Sequence, residues 1–336
     1  MSSEAPSVAV VIPCYQVERP IRAVIESLPS WVTRVIAVDD GSTERTCEVL
    51  RQLEAEDVRV RVLEHPENRG VGGAMVTGFK EALAIGADYV VKIDGDGQMR
   101  AGELPRLLAP LIDGRADFAK GNRMLNPHEL ALMSRTRLIG NIVLSFLTKV
   151  ASGCWHVLDV QNGYLALTNK LLRAMPLDRL ESGYCFENSL LVHAAIQNAA
   201  VADVPMPAVY GSKTSSMRIG RVLLSLPPKL VSLLLVRLFM RHVVHDLSMV
   251  AVYLAGGVPL LVFGLVFGGY HWWLSATSGT PAPTGTVVLA LLTFLLGFIL
   301  VLQAVDHDIR SSPRPRSPRQ ELSDEQIVSH FRTTEP

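Results

Sequence analysis

Short apolar runs rich in Val and Ile recur along the first third of the chain, at 8–12, 32–38, 58–63 and 89–93. Between them lie 21–28, 45–54 and 73–85, whose apolar residues fall at helical spacing. Runs that are hydrophobic without alternation, separated by helices, predict strands of a mostly parallel sheet covered on both faces, an α/β fold. Ligands of such sheets bind beyond the carboxyl ends of the strands. Three polar or Gly-rich turns fall at those ends: Pro13-Cys14-Tyr15, Asp39-Asp40-Gly41-Ser42 and Asp94-Gly95-Asp96.

The pattern changes after residue 246. From 247 to 305 there is no Asp, Glu, Lys or Arg. Within this stretch 247–269 is long enough to span a bilayer, and 286–305 is about the minimum. The link, 270–285, carries Trp272 and Trp273, which suit a membrane–water interface. Arg237, Arg241, Arg310, Arg314, Arg316 and Arg319 flank the pair, so the positive-inside rule predicts a multi-pass chain with both termini and the large domain cytosolic. Before the first span, 229–245 reads as an amphipathic helix. Leu230, Leu233, Leu234 and Leu238 form its apolar stripe, and Arg237, Arg241 and His245 would meet lipid phosphates; a helix packed on the large domain is the alternative. The predicted organisation is a domain over 1–220, a juxtamembrane helix over 221–246, spans at 247–269 and 286–305 around the 270–285 loop, and a basic tail over 306–336. In that tail, 311–318 has the Pro/Ser/Arg composition of a linker or disordered segment.

Composition adds little. Of 336 residues 49% are hydrophobic, and the 32 basic and 32 acidic residues cancel, which says little about partners; no nucleic acid is expected. The four cysteines are scattered without a Cys-x-x-Cys pair, so reduced thiols are expected rather than a disulfide framework or a zinc site. The first basic residue is Arg19 and the first apolar run is too short for a secretory signal, so none is expected.

Candidate chemistry concentrates at the strand ends. Asp94-Gly95-Asp96-Gly97-Gln98 sets two carboxylates one residue apart among flexible glycines, where they can converge on a hard cation, Mg²⁺ or Mn²⁺. Such an ion would neutralise a departing diphosphate; a plain Asp-Gly turn is the alternative. An acidic side chain at Asp39-Asp40 can accept hydrogen bonds from a nucleotide base or ribose; Ser42 or Thr43 capping the next helix is the alternative, and both can hold at once. Gly70-Val71-Gly72-Gly73-Ala74 opens a helix but has Met75 at the third glycine position of a dinucleotide fingerprint, so close backbone packing near the nucleotide, with Gly72 in the substrate-binding set, is expected. Arg123, Arg135, Arg137, Lys213 and Arg218 are candidate phosphate-holding cations. Arg135 and Arg137 would precede an apolar helix over 138–150.

Taken together, Val11-Ile12-Pro13-Cys14-Tyr15 with Glu18, Asp39-Asp40-Gly41-Ser42, Asn68-Arg69-Gly70-x-Gly72-Gly73-Ala74 and Asp94-Gly95-Asp96-Gly97-Gln98 resemble the family 2 glycosyltransferases of GT-A fold. Within these the chain is similar to the polyprenyl-phosphate glycosyltransferases, the dolichyl-phosphate mannose synthase and undecaprenyl-phosphate sugar transferase group. Gly121-Asn122-Arg123, Asp159-Val160-Gln161-Asn162-Gly163-Tyr164 and Phe186-Glu187-Asn188 extend the match over roughly residues 7–220. The resemblance implies a nucleotide pocket lined by Pro13, Tyr15, Glu18 and Asp40, with Asp39 nearby. It implies a metal on Asp94, Asp96 and Gln98, Arg123 near a phosphate, and Asp159 and Gln161 near the sugar. Cys14 stands where Asn or Thr is common and Asn162 where Thr is common, which bears on fine specificity. The implied reaction is an inverting transfer of a hexose from a UDP- or GDP-sugar to a polyprenyl phosphate among membrane lipids; a tetramer is also suggested. A lipid monophosphate, with a second pKa of about 6, needs alignment and a stabilised leaving group more than a strong base. Asp159 would orient the acceptor, act as a base or pair with a neighbouring arginine. Transfer to a growing saccharide, and a silent nucleotide-sugar-binding scaffold, are the competing readings.

Overall fold

The computed structural model describes residues 5–124, 135–207, 219–315 and 323–331. The predicted strands appear as β1 (Val8–Cys14), β2 (Arg34–Asp39), β3 (Val60–Glu64) and β4 (Tyr89–Lys92). The helices between them are α1 (Ile21–Glu26), α2 (Thr46–Glu56) and α3 (Gly70–Ala84), and α4 (Leu104–Ile112) follows. Three further strands, β5 (Phe118–Asn122), β6 (Leu165–Thr168) and β7 (Val201–Pro205), complete a seven-stranded sheet of order β3-β2-β1-β4-β6-β5-β7. β6 runs antiparallel to both its neighbours and every other pairing is parallel.

Side chains alternate along each strand, so β1 sends Val8, Val10, Ile12 and Cys14 into one core and Ala9 and Val11 into the other. The first core is covered by α1, α2 and α4. The second is covered by α3 and by α7 (Phe186–Ile196), which is buried along nearly its whole length. Among the described residues between β5 and α7 lie α5 (Arg135–Ser152) and α6 (Asn169–Ala174). α5 starts three residues earlier than the apolar pattern suggests, so Arg135 and Arg137 belong to its first turn instead of preceding it.

The chain divides into two units, 1–234 with 313–336, and 235–312. Helix α8 (Ile219–Phe239) carries the chain from the first to the second and continues as a π-helical turn, Met240–His245. The second unit is dominated by α9 (Met249–Ser278) and α10 (Thr284–Arg310), 30 and 27 residues long and apolar enough to cross a membrane. They pack closely: a Cβ on Gly264 would sit 2.6 Å from the Phe294 nitrogen, and one on Gly297 2.3 Å from the Leu261 nitrogen. Small residues at such positions let two backbones approach. Both helices outrun the expected spans, because nothing breaks α9 until Gly279, at φ +68°. Trp272 and Trp273 are therefore helical, and the connection shrinks to 279–283.

The juxtamembrane helix departs from the expected pattern at two of its three cations: His245 is exposed and Leu230 and Leu233 are buried, but the two arginines are not exposed. Arg237 and Arg241 are 1% and 6% exposed, whereas Leu235, Phe239 and Val243, spaced by four, are exposed. Arg237 donates to both oxygens of Asp308 at 2.7 and 2.9 Å, and Arg241 donates to the Ser311 carbonyl at 2.7 Å. His242 stands 2.9 Å from Asp308 and 2.8 Å from the Ser248 hydroxyl. A buried arginine needs a paired anion, and Asp308 near the end of α10 supplies one, so these cations do not face lipid phosphates.

The expected tail also differs. Helix α11 (Asp324–Phe331) belongs to the first unit and puts Ile327 and Phe331 into the first core. Phe331 stacks on Trp31 with ring centroids 4.9 Å apart and meets the edge of Tyr89 at 6.2 Å.

Candidate active site

Strand register brings the polar turns to one edge of the sheet. Cys14 is level with Asp39, Asp39 with Glu64, and Val11 with Lys92. Because β6 is antiparallel, Leu165 at its start pairs with Lys92, which delivers the 159–164 turn to the same edge. Asn122 closes β5 there too.

Asp39 and Asp40, at one corner, are 4% and 2% exposed. Asp40 accepts from the Arg69 amide at 2.9 Å and from His65 Nδ1 at 2.7 Å, and the other His65 nitrogen lies 2.9 Å from the Thr77 hydroxyl on α3. Asp39 Oδ1 is buried with no hydrogen-bond partner among the described residues. An orphaned buried carboxylate oxygen is costly and suits a donor brought by a ligand, such as a base N–H or a ribose hydroxyl. Ser42 and Thr43 do not cap α2, whose start at Thr46 has no side-chain cap. Their hydroxyls instead hold Gln16, from its amide at 3.2 Å and its side chain at 2.6 Å, with Gln16 at φ +56°. The Glu18 amide is held by the Glu44 carboxylate at 2.7 Å. Tyr15 is exposed, and Pro13 and Glu18 are partly so. Gly72 packs closely against the 181–182 backbone: its amide donates to the Ser182 carbonyl at 2.7 Å, and a Cβ would come within 2.0 Å of the Glu181 oxygen.

Asp94 and Asp96 follow β4. Asp94 Oδ1 accepts from Lys92 at 2.6 Å, and Asp96 Oδ1 accepts from the Gln98 amide at 2.9 Å. The second oxygen of each carboxylate accepts no hydrogen bond among the described residues. Desolvation by the surrounding protein raises the Asp96 pKa above the ordinary aspartate value, and the nearby Asp94 charge adds to it. Two carboxylates that oppose each other's charge and keep an open oxygen each are a donor set suited to a hard divalent cation. Gln98 is exposed beside them. Lys92 is fully buried, and its ammonium also reaches Glu187 at 3.1 Å. Burial opposes its charge, but Asp94 and Glu187 more than compensate and hold its pKa well above the usual lysine range. Lys120 on β5 is buried as well and donates to the Asn162 carbonyl; burial lowers its pKa to about 8, against the opposing pull of Glu187 and Asp159.

Across the edge, Asp159 is fully buried and accepts from Arg123 three times: from the amide at 3.0 Å, from Nε at 2.8 Å and from Nη2 at 3.1 Å. Of the roles open to Asp159, pairing with an arginine is the one the geometry displays. Gln161 donates to Asn188 at 3.4 Å, and Asn188 donates to Thr148 on α5 at 2.6 Å. The edge thus gathers Pro13, Tyr15, Glu18, Asp39, Asp40, Asp94, Asp96, Gln98, Arg123, Asp159 and Gln161. Lys213 and Arg218 lie outside the described residues, as do the side chains of Arg135 and Arg137. Sequence reasoning passed over His65 and Lys92, and the only signal for either was a polar residue in or just after an apolar strand.

An acid-lined edge on a mostly parallel sheet is the arrangement of GT-A nucleotide-sugar transferases. The chain belongs to glycosyl transferase family 2, whose profile matches residues 9–180, and it is a glycosyltransferase. It is 30% identical over 213 residues, covering 60% of this chain and 84% of the relative, to a UDP-N-acetylglucosamine–dolichyl-phosphate N-acetylglucosaminyltransferase of Methanococcus voltae. It is 31% identical over 195 residues, covering 55% of this chain and 79% of the relative, to an undecaprenyl-phosphate mannosyltransferase of Micrococcus luteus. Among solved structures, glucosyl-3-phosphoglycerate synthase from Mycobacterium tuberculosis, in complex with Mn²⁺, UDP and glucosyl-3-phosphoglycerate, shares the fold. That match has a TM-score of 0.52 and 22% identity over 69% of this chain and 80% of that one.

Proposed function

We propose that the chain transfers a hexose from a nucleotide-sugar to a polyprenyl phosphate at a membrane surface, inverting the anomeric carbon in one displacement. The observation that carries this reading is one chain combining the acidic strand-end site with two membrane-length helices. The two relatives are named for dolichyl and undecaprenyl phosphate, and they differ in the sugar while agreeing on the class of acceptor.

Each part of the edge has a task in that reaction. The open oxygen of Asp39 and the clamped Asp40 receive the nucleoside. Asp94 and Asp96, with Gln98 beside them, would hold Mg²⁺ or Mn²⁺, which when bound would neutralise charge on the leaving diphosphate. Arg123, fixed by Asp159, presents its guanidinium toward a phosphate. With both Asp159 oxygens engaged by Arg123, the site offers no free base at this position. A lipid monophosphate, largely dianionic above its second pKa of about 6, does not need one. The catalytic domain and both termini lie on the cytosolic face. That they share a face is supported by the first folded unit, which contains both 1–234 and 313–336 and so calls for an even number of crossings between them; the cytosolic side is supported by the flanking Arg310 and Arg314.

The test is transfer from labelled nucleotide-sugars to purified polyprenyl phosphate by the full-length protein. Label should enter the organic phase with Mn²⁺ or Mg²⁺, and should stop doing so with excess chelator or in Asp96→Ala. Label that remains aqueous on a saccharide acceptor, or full activity of Asp96→Ala, would overturn the proposal.

A further inference from the structure

Lys92 is an unusual neighbour for a cation site. Its ammonium lies beneath Asp94, fully buried, 2.6 Å from Asp94 Oδ1 and 3.1 Å from Glu187 Oε1. Glu187 opens α7 and is itself largely buried, with 12% of its side chain exposed. The pocket around this trio is closed by Gly163, where a Cβ would meet Lys92 Nζ at 2.5 Å and Asp94 Oδ2 at 2.6 Å. A glycine there allows the 159–164 turn to press onto both charged groups and fix them.

We propose that Lys92 is a positioning residue for the cation site: it occupies the gap between Asp94 and Glu187 as a built-in cation. It thereby leaves the oxygens it does not contact, Asp94 Oδ2 and the Asp96 carboxylate, as those available to a divalent ion. Without an internal cation, Asp94 and Glu187 would be two close carboxylates in a poorly hydrated pocket. Such a pair attracts a divalent ion strongly, but on the inner side, displaced from the Asp96 oxygens. Lys92 costs metal affinity through like-charge repulsion and returns a defined metal position. The inference rests on the metal reading above, and the variants separate the two.

The experiment is Mn²⁺ titration of the purified full-length protein at pH 8, followed by electron paramagnetic resonance, with nucleotide-sugar turnover and melting temperature measured in parallel. Asp96→Asn tests the metal reading alone and should weaken Mn²⁺ at least tenfold. Lys92→Met should do the reverse, tightening Mn²⁺ about tenfold or more as the repulsion is removed, while kcat falls at least a hundredfold. Adding Glu187→Gln to Lys92→Met should abolish the gain in affinity, because the inner site loses one of its two carboxylates. Glu187→Gln alone leaves Lys92 paired with Asp94 only, and should weaken Mn²⁺ severalfold; this variant decides the question should Lys92→Met fail to fold. Wild type and Asp96→Asn binding Mn²⁺ equally would overturn the metal reading and this inference with it. Should Asp96→Asn weaken Mn²⁺ while Lys92→Met leaves it unchanged or weaker, or Glu187→Gln leave the affinity untouched, the metal reading stands and the role of Lys92 is refuted.

Discussion

Replacing Asp159 with alanine separates support of Arg123 from direct chemistry. The carboxylate is fully buried and carries three hydrogen bonds from one arginine, two of them from the guanidinium. Breaking a buried ion pair by removing one partner costs about 3–5 kcal/mol. The Arg123 side chain keeps 26% exposure and can recover some hydration, so the low end, about 3 kcal/mol, applies. For a domain of this size that corresponds to a fall of roughly 6–12 °C in melting temperature, readable by scanning fluorimetry of the detergent-purified full-length protein. Sugar transfer should fall at least a hundredfold, since the guanidinium is no longer aimed. The decisive variant is Arg123→Met with Asp159→Leu, which removes both charges and refills the space. It should regain most of the lost stability, as apolar replacement of a buried pair often does, yet remain inactive. If the double variant transferred sugar normally, or Asp159→Ala kept both stability and activity, the pair would have no part in presenting Arg123.

Other outcomes follow from single contacts. Gly163→Ala would force a methyl to 2.6 Å from Asp94 Oδ2, and should lower Mn²⁺ affinity at least tenfold with little change in global melting. Phe331→Ala empties a 6%-exposed site stacked on Trp31, and should cost about 3–5 kcal/mol, seen as a lowered melting temperature of the full-length protein. Gly264→Leu meets the Phe294 backbone and should pry α9 from α10, raising protease sensitivity in detergent. Lys120 has a folded-state pKa of about 8, below the ordinary lysine value near 10.4. The unfolded chain therefore holds the extra proton between those values, and stability should rise with pH across that window. The stability difference between wild type and Lys120→Met, followed by melting at each pH, should change over the same window and stay flat below it.

The half of the sheet from β3 to β4 was legible because its strands are unbroken apolar runs. β5 was not: Phe118-Ala119-Lys120-Gly121-Asn122 carries a lysine, a glycine and an asparagine, all buried by partners that only the fold supplies. β6 has four residues, too few for a periodicity to register. At the site, the carboxylates could be read from their Asp-Gly turns, but the groups that hold them could not. His65 reaches Asp40 across 25 residues and Lys92 reaches Glu187 across 95. The same distance problem reversed the reading of the juxtamembrane arginines, since Arg237 finds Asp308 71 residues later. Local charge pattern distinguishes a solvated cation from a buried one only when its partner is close in sequence.

The docking of α11 also bears on the order in which the molecule can be made. Ile327 and Phe331 belong to the core that begins with Val8, yet they are synthesised after both membrane-length helices. At roughly 5–20 residues per second, the catalytic unit must wait on the order of ten seconds for them. During that interval Trp31 and Tyr89 lack their aromatic partner. Until α11 docks, that part of the first core stays open to water.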